Sequence, residues 1–234
     1  MAPTSPRAWR SPVILLLALT FSTGVADAAS YLGLDRVFAG NMTGNVIVLG
    51  MGLAGGTGLP VAGPVISLGA FTVGAAAGGR ALRGIPSGWT SRARDVFAAV
   101  AAMLAVTAFV ALTVRVHRGT EPGVGGLVVT GLLACSMGMQ AAAARHVKVA
   151  DLTTVVVTST LTGLASDSWF GRRASQPWAR RAGAVVLMVI GALAGALLLR
   201  IGIAAAIALS VVLTVVVVAA GRAVATDETS STAA

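Results

Sequence analysis

The chain has 234 residues, of which 56% are hydrophobic and 11% charged, and its mean hydropathy is +0.88. This composition excludes an ordinary soluble domain of that size. The formal net charge of +9 does not indicate nucleic-acid binding, because the arginines lie in short segments between apolar runs. No basic helix, zinc-ligand spacing or aromatic stacking platform accompanies them. Cys135 is the only cysteine, so an intrachain disulfide is excluded.

The N-terminus allows two interpretations. Arg7 and Arg10 precede an apolar stretch, and the small residues Ala26 and Ala28 resemble the cleavage site of a secretory signal peptide. Alternatively, the stretch is a first membrane span, and Asp27 is a carboxylate held inside the membrane. Such a group is costly there and needs an interior position, a proton or a partner.

Apolar windows recur along the whole chain. They lie at about 12–32, 38–55, 60–82, 95–116, 124–145, 150–166, 180–200 and 201–221. The last two are separated by a single charge, Arg200, and predict a tight helical hairpin. Segments 38–55 and 150–166 are short for a spanning helix and rich in Gly, Thr, Ser and Asn, so we expect re-entrant or half-length helices there.

The distribution of basic residues supports this count of spans. If every window crossed the membrane, the 17 Lys and Arg residues would divide almost evenly between the two sides. If the two short segments enter and leave by the same face, only Arg36, Arg115, Arg118 and Arg200 lie outside. The positive-inside rule therefore predicts six spans with both termini cytoplasmic.

The two halves of the chain resemble each other. A shift of 115 residues places Gly24–Gly50 over Met139–Ala165 without a gap, and Thr43 then pairs with Thr158. We expect one membrane domain, 1–234, built from repeats at about 12–116 and 124–221, followed by a disordered tail, 223–234. Three spans in each half put the repeats in opposite orientations.

Each half also carries one pair of glycines four residues apart. The pairs are Gly74/Gly78 and Gly191/Gly195. This small-xxx-small spacing predicts close helix packing in lipid.

Two stretches resemble the YoaK family of bacterial membrane proteins of uncharacterised function. They are "GVADAASYLGLDRVFAGNMTGN" in the first half and "GMQAAAARHVKVADLTTVVVTSTLTGLA" in the second. The resemblance implies a multispan membrane fold and favours a transmembrane first helix over a cleaved signal. It implies no substrate or reaction. Family members often have Asn after the Gln of the second motif, where this chain has Ala141.

Candidate substrate- or ion-binding residues cluster in the same stretches. Asp27 could bind a proton or cation, or it could cap the next segment or pair with Arg36. Ser30 shares its helical face. The short segments and the fifth span add amides and hydroxyls suited to a weakly charged solute or, equally, to helix packing. These further candidates are Asn41, Thr43, Asn45, Gln140, Thr158, Thr160 and Thr162.

Asp151 precedes Leu152-Thr153-Thr154 and is expected to be a structural N-cap. His117 and His146 lack ligand spacing, so we expect no metal, and no cofactor motif or catalytic constellation is present.

The leading functional hypothesis is a small-solute secondary transporter or permease, not an enzyme. Its path would run between the two broken polar segments, and Asp27 could couple it to protons. The alternative is a non-transporting scaffold or partner subunit that uses the polar segments for helix packing. The lipid bilayer is the expected partner in both cases, and an oligomer is compatible with either.

Overall fold

The computed structural model describes residues 6–55, 58–113, 123–148, 157–168 and 178–232. The described residues form eight helices and no strand, which confirms an all-α fold. The helices are α1 (Pro6–Gly33), α2 (Met42–Leu53), α3 (Ala62–Ala81), α4 (Ser91–Thr113), α5 (Val124–Val147), α6 (Val157–Ser166), α7 (Trp178–Leu198) and α8 (Ile203–Thr232).

Six of these helices are long and apolar enough to span a membrane, namely α1, α3, α4, α5, α7 and α8. Helices α2 and α6 have 12 and 10 residues. At 1.5 Å per residue α2 is about 18 Å long, roughly half of a 30 Å hydrocarbon core, and the described part of α6 is about 15 Å long. The protein is therefore an all-α membrane protein with two short helices beside the six long ones, at the short windows of the sequence.

Packing against α1 defines the directions of α4 and α5. The first half of α1 packs near the start of α4 and the end of α5, and its second half packs further along α4 and earlier along α5. The first cluster includes Leu16, Phe97 and Ala144, and the second includes Ala26, Leu104 and Leu133. Helix α4 therefore runs parallel to α1, and α5 runs antiparallel to it.

These directions show which helices do not cross. If α2 crossed the membrane between α1 and α3, α4 would run antiparallel to α1. Because α4 runs parallel to α1, α2 does not cross. Helix α7 runs parallel to α1, since Gly191 lies beside Phe21 and Gly195 lies beside Val25. Helices α5 and α7 are therefore antiparallel, so α6 does not cross either. Among the described helices there are thus six candidate spans, and α2 and α6 do not cross.

Glycines hold two pairs of parallel helices in close contact. A Cβ atom added to any of six glycines would overlap or crowd the backbone of the neighbouring helix. The glycine–carbonyl pairs are Gly24 with Met188, Gly191 with Phe21 and Gly195 with Val25 between α1 and α7, and Gly138 with Phe71, Gly74 with Cys135 and Gly78 with Met139 between α3 and α5. The predicted role of both small-xxx-small pairs in close packing is confirmed.

The C-terminal segment differs from our expectation. We expected disorder over 223–234, but α8 continues to Thr232. Extending an existing helix adds a hydrogen bond per residue without a new nucleation cost, and Ala223 and Ala225 favour helix.

Candidate functional site

The link between α1 and α2 folds back along α1. After α1 ends at Gly33, Asp35 and Arg36 have positive φ angles of 66° and 55°, which turn the chain sharply. Gly40 then returns to the level of Asp27, thirteen residues earlier in the chain. Since Asp27 lies six residues before Gly33, the link dips about 9 Å back into the bundle.

The Asp27 carboxylate fastens this link. Its Oδ1 atom accepts hydrogen bonds from the backbone N–H of Gly40 at 2.6 Å and of Asn41 at 3.3 Å. Arg36 is exposed and makes no ion pair with Asp27 within the described part of the chain. Of the two structural roles considered for Asp27, the structure shows capping and not pairing with Arg36.

Helix α2 begins where the link ends. The N-cap Asn41 accepts a hydrogen bond from Gly44 N–H at 3.2 Å through its side-chain Oδ1. The Phe38 ring packs over Gly44, where a Cβ atom would lie 2.7 Å from Phe38 Cδ2. The same ring stacks on Tyr31, with ring centroids 4.6 Å apart.

The side-chain amide of Asn45 forms hydrogen bonds with other groups of the protein. Its Oδ1 accepts from Phe38 N–H at 2.8 Å, and its Nδ2 donates to Phe38 O at 2.7 Å and to Ser67 Oγ at 3.0 Å. Ser67 Oγ also donates to Phe38 O at 2.8 Å. With 0% exposure, Asn45 ties α2 to the link and to α3.

A cavity of about 810 Å³ opens between α1, α2, α6 and α7. Several predicted residues lie on its wall, namely Asp27, Asn41, Thr43 and Thr158. The rest of the wall is formed by Thr23, Gly24, Ala28, Tyr31, Leu32, Phe38, Gly40, Gly44, Ile47, Val157, Met188, Ala192, Leu193 and Ala196.

Both short helices contribute to this cavity. Thr43 is in the first turn of α2, and Thr158 belongs to the described part of α6, which begins at Val157. From there α6 runs away toward Asp167, which pairs at 3.0 Å with Arg181 of α7. The first turn of a helix presents unpaired N–H groups and a partial positive charge, so the N-terminus of α2 gives the cavity a polar end.

Other predicted residues lie off the wall. Ser30 is 1% exposed and donates to the backbone carbonyl of Asp27 at 3.1 Å, in the same helix. Thr160 and Thr162 lie further along α6. Asp151 lies outside the described residues, so its predicted capping role stays a prediction.

Gln140 reaches the cavity through another residue. It is 1% exposed, and its Nε2 donates to Thr23 Oγ1 at 3.1 Å. Thr23 lies on the wall and donates in turn to Leu19 O at 2.9 Å. The Gln140 Oε1 atom has no partner within the described residues.

Sequence reasoning missed three wall residues, Thr23, Tyr31 and Phe38. Thr23 and Tyr31 lie four residues before and after Asp27, hence on the same helical face. That spacing could have identified both. Phe38 reaches the wall only because the link folds back, which no local pattern indicates.

These features define a class: a polytopic α-helical membrane protein with two short helices that line one cavity. The chain belongs to the family described as "Protein of unknown function (DUF1275)", whose model matches residues 15–220. It is 30% identical over 202 residues to the "UPF0700 transmembrane protein YoaK" of Bacillus subtilis (strain 168). The aligned residues cover 81% of this chain and 84% of that relative. The resemblance to the YoaK family is therefore confirmed. No solved structure matches the chain.

Proposed function

We propose that this protein is a small-solute secondary transporter or permease. Its path runs through the cavity between α2 and α6. The observation that carries the proposal is this cavity, because the N-terminus of α2, Thr158 of α6 and the Asp27 carboxylate meet on its wall. Broken helices meeting inside a bundle are the usual frame of a substrate site in secondary transporters.

An inverted repeat supports the proposal. The repeats are compared by exchanging α1 with α5, α2 with α6, α3 with α7 and α4 with α8. After this exchange each packed helix pair corresponds to another packed pair or to itself. Thus α1–α7 corresponds to α5–α3, α1–α8 to α5–α4, and α2–α3 to α6–α7. The opposite directions of α1 and α5 are those expected for repeats related by an axis in the membrane plane.

The glycine contacts refine the alignment of the repeats. Gly24 against Met188 corresponds to Gly138 against Phe71, and Gly191 against Phe21 corresponds to Gly74 against Cys135. Equivalent positions differ by 114 residues between α1 and α5 and by 117 between α3 and α7. The ungapped shift of 115 is therefore one residue out of register for the first helix.

We infer that both termini are cytoplasmic and that the membrane is the bacterial inner membrane. The ends of α3 and α5 and the starts of α4 and α7 lie on the same face as the start of α1. Described basic residues near that face are Arg80, Arg83, Arg92, Arg94, Arg145, Lys148, Arg180, Arg181 and Arg222. Arg36 and Arg200 lie near the other face, so the positive-inside rule supports this orientation.

Two packed units provide a way to open and close the path. One contains α1, α6 and α7, and the other contains α2, α3 and α5. The cavity lies between them, and Asp27 of the first unit holds Gly40 and Asn41, which lead into the second. We infer that proton or cation binding at Asp27 alters this joint and so couples binding to movement of the units.

The second candidate is a non-transporting scaffold or partner subunit. The bonds from Asn45 to Phe38 and Ser67 favour it for that part of α2, because they join only protein groups. It accounts less well for Thr43 and Thr158, which face the cavity.

Thiol accessibility distinguishes the two candidates. In a Cys135→Ala background, Thr43→Cys and Thr158→Cys are treated with a charged, membrane-impermeant thiol reagent, in spheroplasts and in inverted vesicles. Thr130→Cys is the control, because Thr130 is buried and bonds only to Gly126 of its own helix. A transporter path predicts labelling at both cavity positions and none at Thr130→Cys. Failure of both cavity positions to react from either side would favour the scaffold.

A further inference from the structure

The described part of the cavity wall is charged at one point. Among the described residues that line it, Asp27 is the one carboxylate, Tyr31 carries the one phenol, and none is Lys, Arg or His. A bound anion would therefore face a carboxylate without a countercharge from the wall. A bound monovalent cation would balance that carboxylate, and such pairing is what stabilises a charge inside a membrane.

The Asp27 carboxylate is oriented with one oxygen available. Oδ1 accepts from Gly40 at 2.6 Å and Asn41 at 3.3 Å, and the backbone N–H of Ala39 also interacts with the carboxylate. No side chain among the described residues bonds to Oδ2. A Cβ atom on Gly40 would lie 3.5 and 3.6 Å from the two oxygens, so the glycine leaves space beside them. The partial positive charge of the α2 N-terminus is already met by Oδ1 and by the Asn41 cap.

The remaining wall is apolar and aromatic. Tyr31 and Phe38 form a stacked pair on the wall, and aromatic faces attract cations. Leu32, Ile47 and Leu193 add aliphatic surface. At about 810 Å³, the cavity is of the size that accommodates an organic molecule. Bare metal ions are a poorer fit, because they need several converging oxygens and Asn41 Oδ1 is already engaged with Gly44.

We propose that the cavity binds monovalent organic cations, each with one ammonium group on an apolar body. The ammonium group lies against Asp27 Oδ2 and the aromatic pair, and the apolar body lies against the aliphatic wall. This inference rests on the proposed function for its biological meaning, but binding is testable apart from transport.

The test uses three probes of nearly equal shape: phenylethylammonium, 2-phenylethanol and phenylacetate. Binding of each to the purified full chain is measured by titration calorimetry near neutral pH. We expect phenylethylammonium to bind at least about tenfold more tightly than the alcohol, and phenylacetate to bind most weakly, because a desolvated ion pair contributes more than about 1.4 kcal/mol.

Two variants assign the preference to Asp27. Asp27→Asn keeps an acceptor for Gly40 N–H but removes the charge, and it should abolish the preference for the cation while leaving alcohol binding within about twofold. Asp95→Asn is the matched control, because Asp95 is an exposed residue near the start of α4 and does not line the cavity. Tyr31→Leu should weaken cation binding by about two- to fivefold.

Each outcome decides the proposal. Equal binding of the three probes, tighter binding of phenylacetate, or a cation preference that survives Asp27→Asn would overturn it, as would binding of none of the probes. If these results occurred while Thr43→Cys and Thr158→Cys still reacted with the thiol reagent, the transport path would stand and only the substrate class would fall.

Discussion

Helices α2 and α6 occupy corresponding places in the two halves, yet they are held in different ways. Helix α2 is fixed through Asn45, which joins the folded-back link and α3, and through Asp27 at its entrance. Helix α6 has no buried residue, packs on α7, and is tied at its far end by Asp167 and Arg181. The comparison indicates that buried polar contacts hold α2, whereas the described part of α6 packs at the protein surface.

The largest expected effect comes from removing the Asn45 amide. Asn45→Ala leaves the Phe38 N–H without its acceptor and removes the bond to Ser67 Oγ, whereas the Phe38 C=O keeps its bond from Ser67. An unsatisfied buried group costs about 1–3 kcal/mol, and the lost bond to Ser67 adds to it. We expect a loss of about 3 kcal/mol in the free energy of unfolding, measured in detergent by tryptophan fluorescence. Thr162→Ala on the exposed face of α6 should change it by less than about 0.5 kcal/mol. Equal losses would remove the distinction between the helices.

Glycine substitutions test whether the halves share one packing scheme. Gly74→Ala and Gly191→Ala place a Cβ atom against Cys135 O and Phe21 O, and each should cost about 2 kcal/mol through overpacking. Gly69→Ala in α3 and Gly183→Ala in α7 are the controls, because nothing lies within 4 Å of either Cβ position. These should stabilise the protein by about 0.5 kcal/mol. A cost confined to one interface would count against equivalent halves.

The ion pair at the end of α6 has a smaller expected effect. Asp167 and Arg181 are 14% and 11% exposed, so the pair is partly desolvated. Asp167→Asn should reduce the free energy of unfolding by about 1 kcal/mol and speed amide hydrogen exchange in α6. Exchange in α2 should not change. If α2 exchanged faster as well, the two helices would not be anchored independently.

The smallest effects are expected at Thr43 and Thr158, where α2 and α6 both line the cavity. Thr43→Val and Thr158→Val keep the side-chain shape at exposed wall positions, so each should change stability by less than about 0.5 kcal/mol. The thermal midpoint measures this directly. A large loss at either position would indicate that its hydroxyl serves packing and not the cavity.

Much of the architecture could be predicted because it depends on length and charge. Apolar length separates six spans from two short helices, and the arginine distribution shows that the short helices do not cross. Glycine spacing identifies the close interfaces. Register was harder, because the ungapped shift of 115 averages over helices whose glycine contacts correspond at 114 residues for α1 and α5 and at 117 for α3 and α7.

The site was predicted less completely. Asp27, Asn41, Thr43 and Thr158 lie on the wall, whereas Asn45 and Ser30 bond within the protein. Composition identifies polar residues in a membrane segment. It does not show whether their side chains bond to other protein groups or face the cavity. For Asn45 the partner is a backbone brought back by the link, and such a contact depends on tertiary structure.

The glycine interfaces have a consequence for biogenesis. Each joins one helix from the N-terminal half to one from the C-terminal half, so neither half contains both helices of either interface. Translation through α4 leaves α1 and α3 without their closest neighbours, which are inserted only later. Divided between α4 and α5 into two polypeptides, the protein should mature only when both are synthesised in the same cell.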